Sequence, residues 1–88
     1  MSDFRLKVFL SVAKNLSFTK ASQELFVSQP AITKHIQELE TCYQARLFDR
    51  QGNKISLTEA GKLLQEHSEK ILEDYKRLEY EMHLLHNE

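Results

Sequence analysis

The sequence predicts a mainly α fold, with three short helices, a two-stranded β hairpin and one long closing helix. Three observations carry this reading. Apolar residues recur at helical spacing in three separate runs before Tyr43. The pattern then shortens to paired apolar positions on either side of Gln51-Gly52-Asn53. From Thr58 onward a single helical pattern continues almost to the last residue. With 88 residues, 41% of them hydrophobic and 28% charged, and with two Gly, one Pro and no low-complexity run, the chain holds one small folded domain plus one projecting element. A two-domain enzyme does not fit.

In chain order, Asp3 is a good helix N-cap, and Leu6, Phe9, Leu10 and Ala13 place a first helix from about Asp3 to Asn15. Ser17 caps a second helix from Phe18, in which Phe18, Ala21 and Leu25 share one face; Phe26-Val27 forms the turn after it. Ser28 followed by Gln29-Pro30 opens a third helix, because proline is tolerated in a first turn where its missing N–H would have no partner. Its inward stripe is Ile32, Ile36 and Leu39.

Leu47/Phe48 and Ile55/Leu57 supply the apolar positions of two short strands, and Gly52 supplies a residue tolerant of positive φ at the polar tip. Thr58 then caps a helix running to about His86, too long for so small a domain to bury alone. Gly61 costs that helix about 1 kcal/mol relative to Ala, which predicts close packing where it leaves the domain. Farther along, Leu64, Ile71, Tyr75, Leu78, Met82 and Leu85 form a heptad seam, and a seam of that kind wants a partner helix. Residues 1–58 are therefore expected to form the compact domain, and residues 59–88 a linker and dimerisation helix.

Charge divides along the same line. The chain carries −1 overall, but residues 1–58 hold eight Lys/Arg against five Asp/Glu, whereas residues 59–88 hold four against eight. A mildly basic first half and an acidic second half predict that only the first meets a polyanion. Charges at Asp3, Arg5 and Lys7 and the lack of any apolar run near ~20 residues predict a cytoplasmic protein with no membrane segment. Cys42, alone and without a CxxC partner, is expected to be a small core residue. His83-x-x-His86 lies on one helical face without a third ligand nearby, so neither a metal site nor a cofactor is expected. With no nucleophile triad, Gly-rich phosphate loop or dedicated carboxylate pair, neither enzymatic activity nor a small-molecule effector site is expected in this chain.

Three helices followed by a hairpin describe a winged helix-turn-helix, whose third helix enters the major groove of double-stranded DNA. With Ile32, Ile36 and Leu39 inward, the residues left facing outward are Pro30, Thr33, Lys34 and Gln37, with Gln29 at the exposed N-terminus. Gln can pair bidentately with adenine, Thr can bond a base or touch a thymine methyl, and Lys can reach guanine or a phosphate. Any soluble helix can carry such residues on its wet face. The hairpin that follows shifts the balance, since its Arg50, Gln51, Asn53 and Lys54 can enter an adjacent minor groove or meet phosphate.

The runs Ser17-Phe18-Thr19-Lys20-Ala21-Ser22, Val27-Ser28-Gln29-Pro30-Ala31-Ile32-Thr33, Leu39-Glu40, Leu47-Phe48-Asp49-Arg50 and Leu57-Thr58-Glu59-Ala60-Gly61 together resemble the N-terminal signature of LysR-type transcriptional regulators. The resemblance spans roughly residues 4–75. It implies that Gln29, Pro30, Thr33 and Lys34 approach bases, that Thr19 and Ser28 hold phosphates and that Arg50 sits on the wing at the minor groove. It also implies a homodimer through an antiparallel pair of linker helices, higher oligomers being open, on an imperfect palindrome. Two positions depart from the family pattern, Ser22 where a second Ala is usual and Tyr43-Gln44 where Leu-Gly is usual; the large effector-binding domain of the family is also not included. Two other readings stand beside this one: a helical protein–protein dimerisation module, and a winged-helix DNA-binding dimer of another family.

Overall fold

The computed structural model describes residues 3–86, with side chains from Phe4 onward. The elements are α1 (Asp3–Asn15), α2 (Phe18–Leu25), α3 (Gln29–Tyr43), β1 (Phe48–Gln51), β2 (Lys54–Leu57) and α4 (Glu59–His86). This is the winged helix-turn-helix with a long closing helix. The cap expected at Asp3 rests on a side chain outside the described residues.

Helix α1 lies at the centre, packed against α2, α3 and α4. One apolar stripe would serve a helix with one neighbour, but α1 has three, and Leu6, Val8, Phe9, Ser11, Val12 and Ala13 are all buried. Ser11 is tolerated there because its hydroxyl donates to Glu24 Oε2 at 2.8 Å. Lys14 Nζ lies 3.0 Å from the other Glu24 oxygen, tying α1 to α2. The Lys14 ammonium, and after it the Ser11 hydroxyl, hold the Glu24 carboxyl below the ordinary carboxylate range.

The serine caps act as their sequence context predicts. Ser17 Oγ accepts from the Lys20 amide at 3.0 Å, and Ser28 Oγ accepts from the Ala31 amide at 3.2 Å. The helix ends are less ordinary, because Leu16, Phe26 and Gln44 close α1, α2 and α3 in the left-handed region, at φ of 48°, 58° and 51°. At Gln44 the chain makes a Schellman closure, the Gln44 amide donating to Thr41 O at 3.3 Å and the Ala45 amide to Glu40 O at 3.1 Å. The departure at Tyr43-Gln44 therefore leaves the turn geometry intact and places a residue with a side chain where glycine would be unstrained.

The wing pairs Phe48 with Leu57 and Gln51 with Lys54 in antiparallel register. Gly52 takes φ +60° at the first central position of the two-residue turn, the position type II′ turns reserve for glycine. Phe48 anchors the wing, its ring centroid 5.4 Å from that of Phe9 and 6.0 Å from that of Phe18. The junction with α4 is tightly bonded. The Leu47 amide donates to Glu40 Oε2 at 2.9 Å, the Leu47 carbonyl accepts from the Thr58 amide at 3.1 Å, and Thr58 Oγ1 both donates to Arg46 O and accepts from the Gly61 amide. Thr58 is thus the α4 cap. A Cβ on Gly61 would fall onto the Leu47 carbonyl oxygen and 2.9 Å from Leu57 Cδ2, which explains the glycine.

Helix α4 has 28 residues, about 42 Å at 1.5 Å per residue, and gives the molecule its 55 Å length against 26 and 19 Å across. Its first turns bury Gly61 and Ser68 and pack Ala60 and Leu64 against the core. Cys42 is exposed, contrary to the core position expected for it. It lies off the Ile32–Ile36–Leu39 stripe and beyond the last buried turn of α3.

Candidate nucleic-acid interface

Helix α3 is sharply two-sided. Ile32, Ile36 and Leu39 are buried, while Gln29, Pro30, Lys34 and Gln37 are exposed and Thr33 is half-buried. The outward five, Gln29, Pro30, Thr33, Lys34 and Gln37, line one shallow depression along the helix. The two acidic residues of α3 are engaged with the scaffold. Glu38 Oε1 lies 3.2 Å from Arg5 Nε and 3.4 Å from His35 Nδ1, and Glu40 binds the Leu47 amide. Neither α2 nor α3 has an acidic residue in its first turn, so the positive end of each helix dipole is not offset there.

Ser28 caps α3 with its oxygen and keeps its hydroxyl proton available to an outside acceptor. Thr19, on the first turn of α2, reaches across to α3 and donates from Oγ1 to Gln29 Oε1 at 3.3 Å. Arg50 projects from β1 back towards the same turn, its guanidinium carbon 5.0 Å from the centre of the Phe18 ring. Gln51, Asn53 and Lys54 are exposed at the far end of the hairpin, beside Gly52. The fold thus gathers Thr19, Ser28, Gln29 and the α3 row at one place, with Arg50 tied to its edge and the hairpin tip beyond.

Residues 4–62, two-thirds of the chain, match the family of bacterial regulatory helix-turn-helix proteins of the lysR type. The chain belongs to the lysR family. This LysR-type domain is 46% identical over 68 residues to a probable RuBisCO transcriptional regulator of Trieres chinensis, covering 77% of this chain and 22% of that protein. It is 38% identical over 82 residues to the HTH-type transcriptional regulator CitR of Bacillus subtilis, covering 92% and 28%. The chain thus spans between a fifth and a third of the length of those relatives. In three dimensions it superposes on the crystallised CbnR_DBD–DNA complex with a TM-score of 0.90 and 34% identity, over 97% of this chain and 98% of that one. Its fold is that of a LysR-type helix-turn-helix DNA-binding domain. No helix among the described residues is long and apolar enough to cross a membrane.

The heptad seam divides in this domain. Leu64 packs against the core of its own chain and Tyr75 is half-buried, whereas Ile71, Leu78, Met82 and Leu85 are exposed. Leu64 and Ile71 also line an apolar groove with Tyr43, Ala45, Leu47, Ala60, Leu63 and His67. Tyr43 and Leu63, 56% and 59% exposed, lie in that groove although neither has a place in the seam. Phe18 was legible only as a core residue, and nothing in its spacing announces the Arg50 contact.

Proposed function

We propose that this chain reads double-stranded DNA sequence-specifically as the DNA-binding portion of a transcriptional regulator, with α3 in the major groove and the wing at the adjacent minor groove. The observation that carries the reading is the polar row Gln29, Pro30, Thr33, Lys34 and Gln37 on the outer face of a helix whose inner face is fully buried. Similarity to a domain crystallised on DNA supports that placement. Gln29, Thr33 and Lys34 read base edges with Pro30 and Gln37 beside them. Ser28 donates to a phosphate, Arg50 enters the minor groove, and Gln51, Asn53 and Lys54 follow the backbone beyond it.

Residues 1–58 are the reading unit, and residues 59–88 pair with the same helix of a second copy through Ile71, Tyr75, Leu78, Met82 and Leu85, with Leu64 at the start of the seam. The exposed apolar residues of α4 and the groove beside Leu63 support this pairing. A two-fold pair presents two α3 helices to an imperfect palindrome with half-sites a whole number of helical turns apart. The protein works in the cytoplasm by binding, not by catalysis.

Selection of bound duplexes from a random pool tests the reading directly. The expected result is an enriched palindrome, with Gln29→Ala and Thr33→Ala each costing about 1–3 kcal/mol on it and relaxing preference within the half-site. No enrichment, or variants that discriminate as the parent does, would remove α3 from the DNA.

A further inference from the structure

We propose that the first turn of α2 is a positioning platform for both DNA-reading elements, with Thr19 aligning Gln29 of α3 and Phe18 aligning Arg50 of the wing. The proposal rests on the DNA-reading assignment above and adds two residues that act through others. Consecutive positions on a helix diverge by about 100°, so two adjacent side chains can serve two different neighbours. Phe18 is half-buried, its ring held edge-on against Phe48, and it offers a face to the otherwise exposed Arg50. Thr19 is exposed and makes its one side-chain bond to Gln29, ten residues away on the next helix.

The hydrogen-bond inventory separates Thr19 from Ser28. A hydroxyl has one proton to give, and phosphate oxygens only accept. Ser28 uses its oxygen for the α3 cap and keeps its proton for a phosphate, whereas Thr19 gives its proton to Gln29 Oε1. In the proposed platform Thr19 orients Gln29, an alternative to the phosphate contact that family resemblance implies. Oε1 accepts from Thr19 with one of its two lone pairs, so the amide keeps an acceptor site and two Nε2 donors, the set that pairs bidentately with adenine, and Thr19 fixes the plane in which they are presented. Arg50 gains in the same way. A guanidinium stacked on a fixed ring keeps its edge N–H groups free and has less rotamer freedom to lose on binding.

The test uses the duplex selected from the random pool by the unsubstituted chain, together with single-base variants of it, in fluorescence anisotropy titrations at several salt concentrations. Thr19→Val should lower discrimination at the base read by Gln29 by about three- to ten-fold, the value of one net hydrogen bond, and leave the salt slope unchanged. Thr19→Ser should retain the discrimination. In a Gln29→Ala background Thr19→Val should have no further effect. Phe18→Leu should reproduce the weakening seen in Arg50→Ala and add nothing to it in the double variant, while Phe18→Tyr, which keeps the ring face, should restore binding.

Additive effects in both double variants would overturn the platform. So would a Thr19→Val salt slope reduced by about one, the mark of a direct phosphate contact. If Gln29→Ala and Arg50→Ala themselves left binding unchanged, the DNA-reading assignment would fail, and the platform with it. Thermal melts establish that the variants fold. Because Thr19 is exposed, its arm decides the proposal by itself should Phe18→Leu not fold.

Discussion

The two halves of α4 carry similar apolar content and meet different fates. In the first half Gly61 and Ser68 are buried, and Ala60 and Leu64 pack against the hydrophobic core of the domain. In the second half Leu78, Met82, Leu84 and Leu85 are 48–68% exposed. The difference lies in what covers each half. Small residues at Gly61 and Ser68 let the first half approach its own domain closely, and the second half extends past the last element that could cover it. Leu64 in the first half stabilises this fold, whereas Leu78, Leu84 and Leu85 in the second would gain cover only from the proposed second chain.

The largest expected effect breaks the second half alone. Leu78→Asp should make the chain monomeric by analytical ultracentrifugation and lower affinity for a two-half-site duplex by about 10²–10⁴, the loss of an effective-concentration advantage. Affinity for a lone half-site and the melting of the domain should hardly change. A variant that stays dimeric, or a parent that is monomeric at micromolar concentration, contradicts the pairing.

Breaking the first half should instead destabilise the domain. Gly61→Ala pushes a methyl against the Leu47 carbonyl, which is backbone and cannot swing aside. Overpacking of this kind costs about 1–3 kcal/mol, of which the better helix propensity of Ala returns at most ~1. The urea midpoint should fall, and both DNA binding and dimerisation should weaken with it.

A smaller change of opposite sign is expected at Gln44, whose φ of 51° glycine adopts without strain. Gln44→Gly should stabilise the domain by up to ~1 kcal/mol in urea titrations, leaving the wing in place because the same two amides still close α3. An unchanged or lower midpoint would show that the side chain of Gln44 contributes more than its backbone costs.

The smallest effect is a pH dependence of the domain's stability. The Glu24 carboxyl is lowered from an ordinary value of 4.5, chiefly by Lys14, so the unfolded chain binds its proton first as pH falls. The stabilisation is present above the unfolded value and lost as pH drops through the folded one. Glu24→Gln should therefore flatten the urea midpoint across that acidic window and leave the midpoint difference between neutral pH and pH 6 unchanged. High salt should shrink the effect, since the pair is exposed.

Local signals made the element order legible. Capping hydroxyls at Ser17, Ser28 and Thr58, proline in the first turn of α3, the Ile32–Ile36–Leu39 stripe and glycine at the hairpin tip each act within a few residues, so each can be read without knowing what lies beside it. The outward row on α3 followed by elimination once that stripe was assigned inward. Gly61 was legible as a packing constraint, though not that Leu47 O is the atom it yields to.

What only the tertiary structure decided concerns neighbours distant in sequence. Val8, Ser11 and Val12 are buried because α1 is covered from three sides, a number no periodicity encodes. Cys42 is exposed because α3 outruns its cover, and Leu64 turns inward because α4 still touches the domain at that turn. Phe18 meets Arg50, and Thr19 meets Gln29, across a helix-to-wing and a helix-to-helix gap. The sequence by itself determined which segments are helix or strand and which face of α3 is polar, because backbone hydrogen bonding and side-chain periodicity are local. Which apolar residues are covered, and which side chains touch Gln29 and Arg50, depended on how the elements pack, because burial and contact belong to pairs of surfaces and not to a single segment.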